Sequence, residues 1–221
     1  MKYVLLTFLG FSLSLCAYAQ MSADSALVLL KAGNERFYKG QSVRPNQSPK
    51  RVKEVATGQN PFAIVVGCSD SRVPNEIIFD QGLGDIFIVR TAGQVSTHAS
   101  WGSIEFANAV LGAKLIVVLG HTECGAVAAA CKVPDVPGHI VTLINAIKPA
   151  AQASAHLKGN RIDNAVKVNV AMQVAQLQNL EPVLSKAVAS GQTKIVGAVY
   201  HLESGKVEFL PENYLATLPK P

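Results

Sequence analysis

The stretch PFAIVVGCSDSRVP, residues 61–74, carries an unbroken apolar run, FAIVV, that ends in a glycine and then places Cys68, Asp70 and Arg72 at alternate positions. Continuous apolar runs rich in β-branched residues are expected of strands covered on both faces, as in parallel sheets. If the backbone stays extended past the run, side chains two apart point the same way. A thiol, a carboxylate and a guanidinium would then converge where a buried strand ends.

The neighbouring sequence repeats the theme. DIFIVR (85–90), AKLIVVLG (113–120) and TKIVGAVYHL (193–202) read as further strands, and the first two are again continuously apolar. Helical patterns lie between and around them: 22–40 with Leu27, Leu30 and Phe37 in phase, 50–58, 75–81, 99–112, 123–132 and about 161–180, with another opened by Pro182. ESGKVEF after the last run suggests a hairpin. Alternating strands and helices predict an α/β fold: a mostly parallel β-sheet flanked by helices, with an N-terminal helical arm and a C-terminal strand or hairpin. Functional side chains then belong at the carboxyl ends of the strands.

With 221 residues, 49% hydrophobic and 16% charged, the chain has the composition of one folded domain. Its net charge of +5 is spread along the sequence without a Lys/Arg block, which leaves no nucleic-acid footprint. Lys2, the apolar run YVLLTFLGFSLSLC and AYA at 17–19 read as a signal peptide cleaved after Ala19. The expected product is an exported chain with no membrane segment, periplasmic in a Gram-negative bacterium and otherwise secreted. Residues 20–221 form a single domain, with 20–60 as the helical arm and 61–221 as the α/β core.

The mature chain keeps Cys68, Cys124 and Cys131, too few and too scattered for a disulfide scaffold. HTEC (121–124) follows the third apolar run, so His121 and Cys124 are three residues apart; on a helix starting there they would share a face. Cys68, His121 and Cys124 supply two thiolates and an imidazole, which suit Zn²⁺ and leave a fourth position for solvent, the pattern of a catalytic site. Cys131 is left as a small buried hydrophobe. A redox pair is the competing use of the thiols, but neither belongs to a C-x-x-C motif.

CSDSRVP, VRTAGQ, SIEFA and GHTECGAV, with LLKAGNERF near the start and GAVYHLESGKV near the end, together resemble the β-class carbonic anhydrases. The resemblance implies one zinc ion per subunit on Cys68, His121 and Cys124, with Asp70 and Arg72 as a catalytic dyad. It implies substrate contacts from Gln59, often across a subunit boundary, from Phe87 as an apolar wall, and from the Gly125 N–H. The implied reaction is the reversible hydration of carbon dioxide to bicarbonate and a proton by hydroxide formed at the metal. The implied assembly is a homodimer or a tetramer built on the N-terminal arm. Val65 stands where relatives with an allosteric bicarbonate site carry Trp, so the resemblance is to the non-allosteric type. His98 is a possible proton shuttle by position alone, and an unrelated surface histidine is the plainer account of it. Two thiolates offset the ion's charge where three imidazoles would not, so activity should rise into the alkaline range. A carbon disulfide hydrolase on the same scaffold, and a non-catalytic zinc protein or redox sensor, are the alternatives; the Asp70–Arg72 pair argues for an enzyme.

Overall fold

A computed structural model describes residues 21–132 and 135–219; the expected signal peptide lies outside the described residues. Helix α1 (Ala23–Tyr38) is capped by Ser22, whose hydroxyl accepts from the Ser25 N–H. Helix α2 (Pro49–Glu54) is capped in the same way by Ser48 and has proline in its first turn. Then follow β1 (Ala63–Cys68), α3 (Asn75–Ile78), β2 (Ile86–Thr91), a 3₁₀ turn at Ala92–Gln94, α4 (His98–Ala109) and β3 (Leu115–His121). The rest is α5 (Gly125–Lys132), α6 (Ile140–Ala153), α7 (Arg161–Gln178), α8 (Leu184–Ala189), β4 (Lys194–Tyr200), β5 (Val207–Phe209) and α9 (Tyr214–Thr217).

The sheet runs β2-β1-β3-β4-β5. Its first four strands are parallel and β5 is antiparallel to β4. The expected α/β architecture is present, hairpin included. The period-two alternation divides the core: Ala63 and Val65 of β1 pack with Leu30 and Phe79 beneath one face, while Ile64, Val66 and Cys68 pack with Val127, Ile147 and Val166 on the other. Strands β1 and β3 are buried throughout, as their apolar runs predict. The apolar run of β2 reads the same way, yet β2 is an edge strand and Ile86–Val89 are only half-buried.

The arm is docked by its own motif. Buried Asn34 donates to the carbonyl oxygens of Ile78 (3.0 Å) and Gly205 (2.9 Å), and its own oxygen accepts from the Val207 N–H (2.8 Å). Gly33 lets α1 cross α3 closely: a Cβ there would lie 1.8 Å from the Phe79 carbonyl oxygen. Nearby, Arg36 pairs with buried Asp80 at 2.6 Å, and Asp80 also accepts from the Val43 and Arg44 N–H groups.

The sequence reading missed α6. Pro149 sits inside that helix, and Pro137 and Gly138 precede it, so its pattern resembles a loop. Helix α7 is capped by Asn160 and packs against β3 and β4. Its close approach needs two glycines: a Cβ at Gly120 or Gly197 would meet the Val170 methyls at 2.6 Å and 2.8 Å. Among the described residues no helix is long and apolar enough to cross a membrane.

Candidate metal centre

Strands β1 and β3 are neighbours, with Gly67 opposite Leu119, so their carboxyl ends bring Cys68 next to His121. His121 is the last residue of β3 and Cys124 immediately precedes α5, so the two do not share a helix face as their spacing suggested. A tight turn folds Cys124 back instead, with Glu123 in the left-handed region at φ 54°. Cys124 then occupies the N-terminal end of α5, where the Ala126 and Val127 N–H groups are directed at its sulfur.

Among the described residues, Cys68, His121 and Cys124 form a group whose ligand atoms all lie within 4.8 Å of one another, and all three are buried. That spread is about two zinc–ligand bond lengths. The His121 Nδ1–H donates to the Thr122 carbonyl oxygen at 2.8 Å, because a carbonyl can only accept. The lone pair of Nε2 is thereby turned toward the sulfurs, and Nε2 is buried without a hydrogen-bond partner among the described residues. A buried acceptor facing two thiols, with nothing to satisfy it, fits a soft dication such as zinc.

The electrostatics agree. The hydrogen bond shared with Cys124 draws the Cys68 thiol well below the ordinary range, against the effect of burial and with help from His121 and the Gly93 N–H. The same shared bond, with burial, pushes Cys124 up. Burial lowers the His121 pKa, but the Cys68 sulfur, the Thr122 carbonyl and the Asp70 carboxylate together raise it overall. The pocket therefore favours a negative charge on one sulfur, that of Cys68, before any ion arrives.

Beyond Cys68 the backbone does not stay extended. Ser69 still pairs with Thr91, but the chain then turns, with the Val73 N–H donating to the Asp70 carbonyl oxygen at 3.0 Å. This turn, rather than strand alternation, brings Arg72 onto Asp70. Arg72 Nε donates to Oδ1 (3.0 Å), Nη2 to Oδ2 (2.8 Å), and the Arg72 backbone N–H to Oδ1 (2.9 Å). The Arg72 guanidinium holds the Asp70 carboxyl down at about 2. Asp70 Oδ2 stands 3.7 Å from His121 Nε2, beyond hydrogen-bond length. It remains a carboxylate beside the three-ligand group.

Two features escaped the sequence reading of the site. Arg90, at the end of β2, donates from Nε to the Cys68 carbonyl oxygen (2.8 Å) and from Nη2 to that of Asp70 (2.7 Å). Gly93, in the turn after β2, donates its N–H to Cys68 Sγ (3.3 Å). Both lie in the VRTAGQ stretch, whose motif was visible although its contacts were not.

The other expected residues are more dispersed. Phe87 is half-buried against the α4–α7 side of the core. Gly125 is exposed, and a Cβ there would meet nothing within 4 Å. Gln59 is exposed, and its side chain hydrogen-bonds to none of the described residues. His98 is exposed at the start of α4, its ring edge-on to Trp101 at 5.0 Å. His201, to which the sequence reading assigned no role, pairs with Glu208 at 3.0 Å. Cys131 is a buried free thiol raised by its burial, as expected of a core residue.

Comparison with known proteins points to one family. Residues 63–207 match the family model described as carbonic anhydrase. A carbonic anhydrase from Mycolicibacterium smegmatis is 44% identical over 183 residues, covering 81% of this chain and 89% of that protein. One from Pseudomonas aeruginosa is 36% identical over 173 residues, covering 72% and 77%. Among solved structures, a tetrameric β-carbonic anhydrase from Sordaria macrospora superposes with a TM-score of 0.68 at 25% identity, covering 81% of this chain and 93% of that one. The strand-end thiols and imidazole, the sheet that carries them and the extent of these matches converge: the chain belongs to the β-carbonic anhydrase family.

Proposed function

We propose that the chain catalyses the reversible hydration of carbon dioxide to bicarbonate and a proton with one zinc ion per subunit held by Cys68, His121 and Cys124. One observation carries the reading: a buried Cys-His-Cys group lies beside a carboxylate that Arg72 keeps ionised and 3.7 Å from the nearest ligand nitrogen. Zinc, when bound, supplies the Lewis acidity that makes hydroxide available near neutral pH, the property for which three-histidine carbonic anhydrases are the reference case.

The chain's own residues do the rest. Ionised Asp70 accepts a hydrogen bond from the attacking oxygen and so aims a lone pair at the carbon. The two-point Arg72 pair fixes the carboxylate's plane and opposes its drift toward the ligands. Phe87 supplies apolar surface for an uncharged substrate. Gln59 and the Gly125 N–H bind the oxygens of bicarbonate. A structural site would need no such dyad, which sets the enzyme reading above a non-catalytic zinc protein.

The active form is at least a homodimer. Val28 and Leu29 of α1 are exposed at 64% and 41%, and the half-buried apolar edge of β2 is open in a single chain. The free Gln59 side chain suits a role across a subunit boundary. The N-terminal run and AYA support export, with residues 20–221 as the mature domain.

Metal analysis paired with stopped-flow carbon dioxide hydration tests the reading. The purified chain should hold one zinc per subunit. Asp70→Asn should keep that metal and lose at least a hundredfold in rate. A fully active metal-free preparation, or unchanged activity in Asp70→Asn, would overturn it.

A further inference from the structure

Asn169 lies on α7, far from the Cys68–Asp70 loop in sequence, and is 1% exposed. Its Nδ2 donates to the Gly93 carbonyl oxygen at 3.1 Å. The N–H of the same residue, Gly93, donates to Cys68 Sγ at 3.3 Å. Both polar groups of Gly93 are thus in use: the carbonyl is anchored by α7 and the N–H points at the ligand sulfur.

Only glycine fits between them. Gly93 has φ 67°, and a Cβ there would lie 2.6 Å from the Ile147 Cδ1 and 3.3 Å from the Ala126 Cβ. Helix α7 is held at this depth by Gly120 and Gly197, which admit the Val170 side chain next to Asn169. The Asn169 amide is therefore delivered by packing rather than by a mobile side chain.

We propose that Asn169 is a positioning residue of the metal site, acting through the Gly93 backbone on the Cys68 sulfur. An N–H aimed at a ligating thiolate withdraws charge from it and fixes its direction. Without the Asn169 donor, the Gly93–Gln94 peptide loses the bond that sets its plane, Gly93 can turn about its φ and ψ, and its N–H, which belongs to the preceding peptide, drifts from the sulfur. Cys68 then becomes a stronger electron donor to the ion and a less well-directed one. The inference rests on the metal reading above.

Cobalt substitution of the purified protein separates the two. Unaltered protein should show a sulfur-to-cobalt charge-transfer band. In Asn169→Leu, which keeps the number of side-chain heavy atoms and the branching at Cγ and removes the donor, that band should move to lower energy, and zinc affinity by chelator competition should fall about tenfold. Asn108→Leu is the control: Asn108 is also buried, but bonds to Ala113 and Thr193 away from the ligands. It should lose stability with the band in place. Should Asn169→Leu fail to fold, Asn169→Ser, too short to reach Gly93, is read the same way. Scalar coupling from bound ¹¹³Cd to the Gly93 N–H in unaltered protein tests the sulfur contact directly. Identical bands in both Asn169 variants and the unaltered protein, or no coupling at Gly93, would overturn the inference and leave the metal reading intact. Failure of the unaltered protein to bind metal would overturn both.

Discussion

Arg72 and Asp70 meet through two parallel side-chain hydrogen bonds, 3.0 Å from Nε to Oδ1 and 2.8 Å from Nη2 to Oδ2. A lysine can replace the charge but not the fork. Arg72→Lys should therefore keep its metal and lose about a hundredfold in hydration rate, the scale of effect that small misplacements in a site produce. Metal analysis beside stopped-flow kinetics checks both halves. Unchanged kinetics would mean that the charge of Arg72 is enough.

Arg90 holds the backbone of the same loop by two carbonyl oxygens, those of Cys68 and Asp70. Arg90→Met keeps most of the aliphatic stem and removes both charge-assisted bonds. Since the loop carries one ligand and the dyad carboxylate, zinc affinity and hydration rate should fall together, each by about tenfold. A drop in rate alone, at full zinc affinity, would confine the role of Arg90 to Asp70.

Burial pushes the Asp80 carboxyl up, but the Arg36 side chain and the Val43 and Arg44 N–H groups together bring it below the ordinary aspartate value of 3.8. A carboxyl lowered on folding contributes stability that is fully present above its unfolded value and is lost as pH falls through the folded one. Asp80→Asn, in a left-handed position at φ 48° that asparagine tolerates, should cost about 2 kcal/mol at pH 7. The gap from the unaltered protein should narrow progressively below pH 3.8. Urea unfolding across that range measures it; a gap independent of pH would assign the cost to packing.

Removing the metal should lower the melting temperature, since two buried sulfurs and an imidazole nitrogen are left facing one another. A chelator-treated sample should regain its melting temperature on adding zinc. Asp70→Asn should show the same zinc-dependent gain, because Asp70 is not one of the three ligands. Loss of that gain in Asp70→Asn would place its carboxylate on the ion.

Gly33→Ala should detach the arm. Its Cβ would stand 1.8 Å from a backbone oxygen, which cannot rotate away as a side-chain tip can. A cost of about 3 kcal/mol is expected, the upper end for overpacking. Denaturant unfolding reads the loss, and sedimentation reads any change in assembly.

The strands were legible because four apolar runs differ sharply from their surroundings, and the candidate ligands because Cys68, His121 and Cys124 stand at or just past the ends of two of those runs. What sequence could not give was local geometry decided by turns. The His121–Cys124 spacing suits a helix face, yet a strand end and a left-handed Glu123 bring them together. Asp70 and Arg72 are matched by a turn where alternation was expected. Helix α6 was masked by Pro149, and the edge position of β2 was hidden because an apolar run does not say how many neighbours a strand has. Contacts such as Arg90 to Cys68 and Asn169 to Gly93 span 22 and 76 residues, and only the folded packing creates them.

The pairing of β1 with β3 has a consequence for when the ion can be captured. No local segment contains more than His121 and Cys124, and Cys68 joins them only after two separate stretches of chain have aligned side by side. Tight uptake is therefore a late event that reports completed assembly. A chain threaded through a membrane in extended form would arrive empty, and the compartment where its strands come together would have to provide the ion.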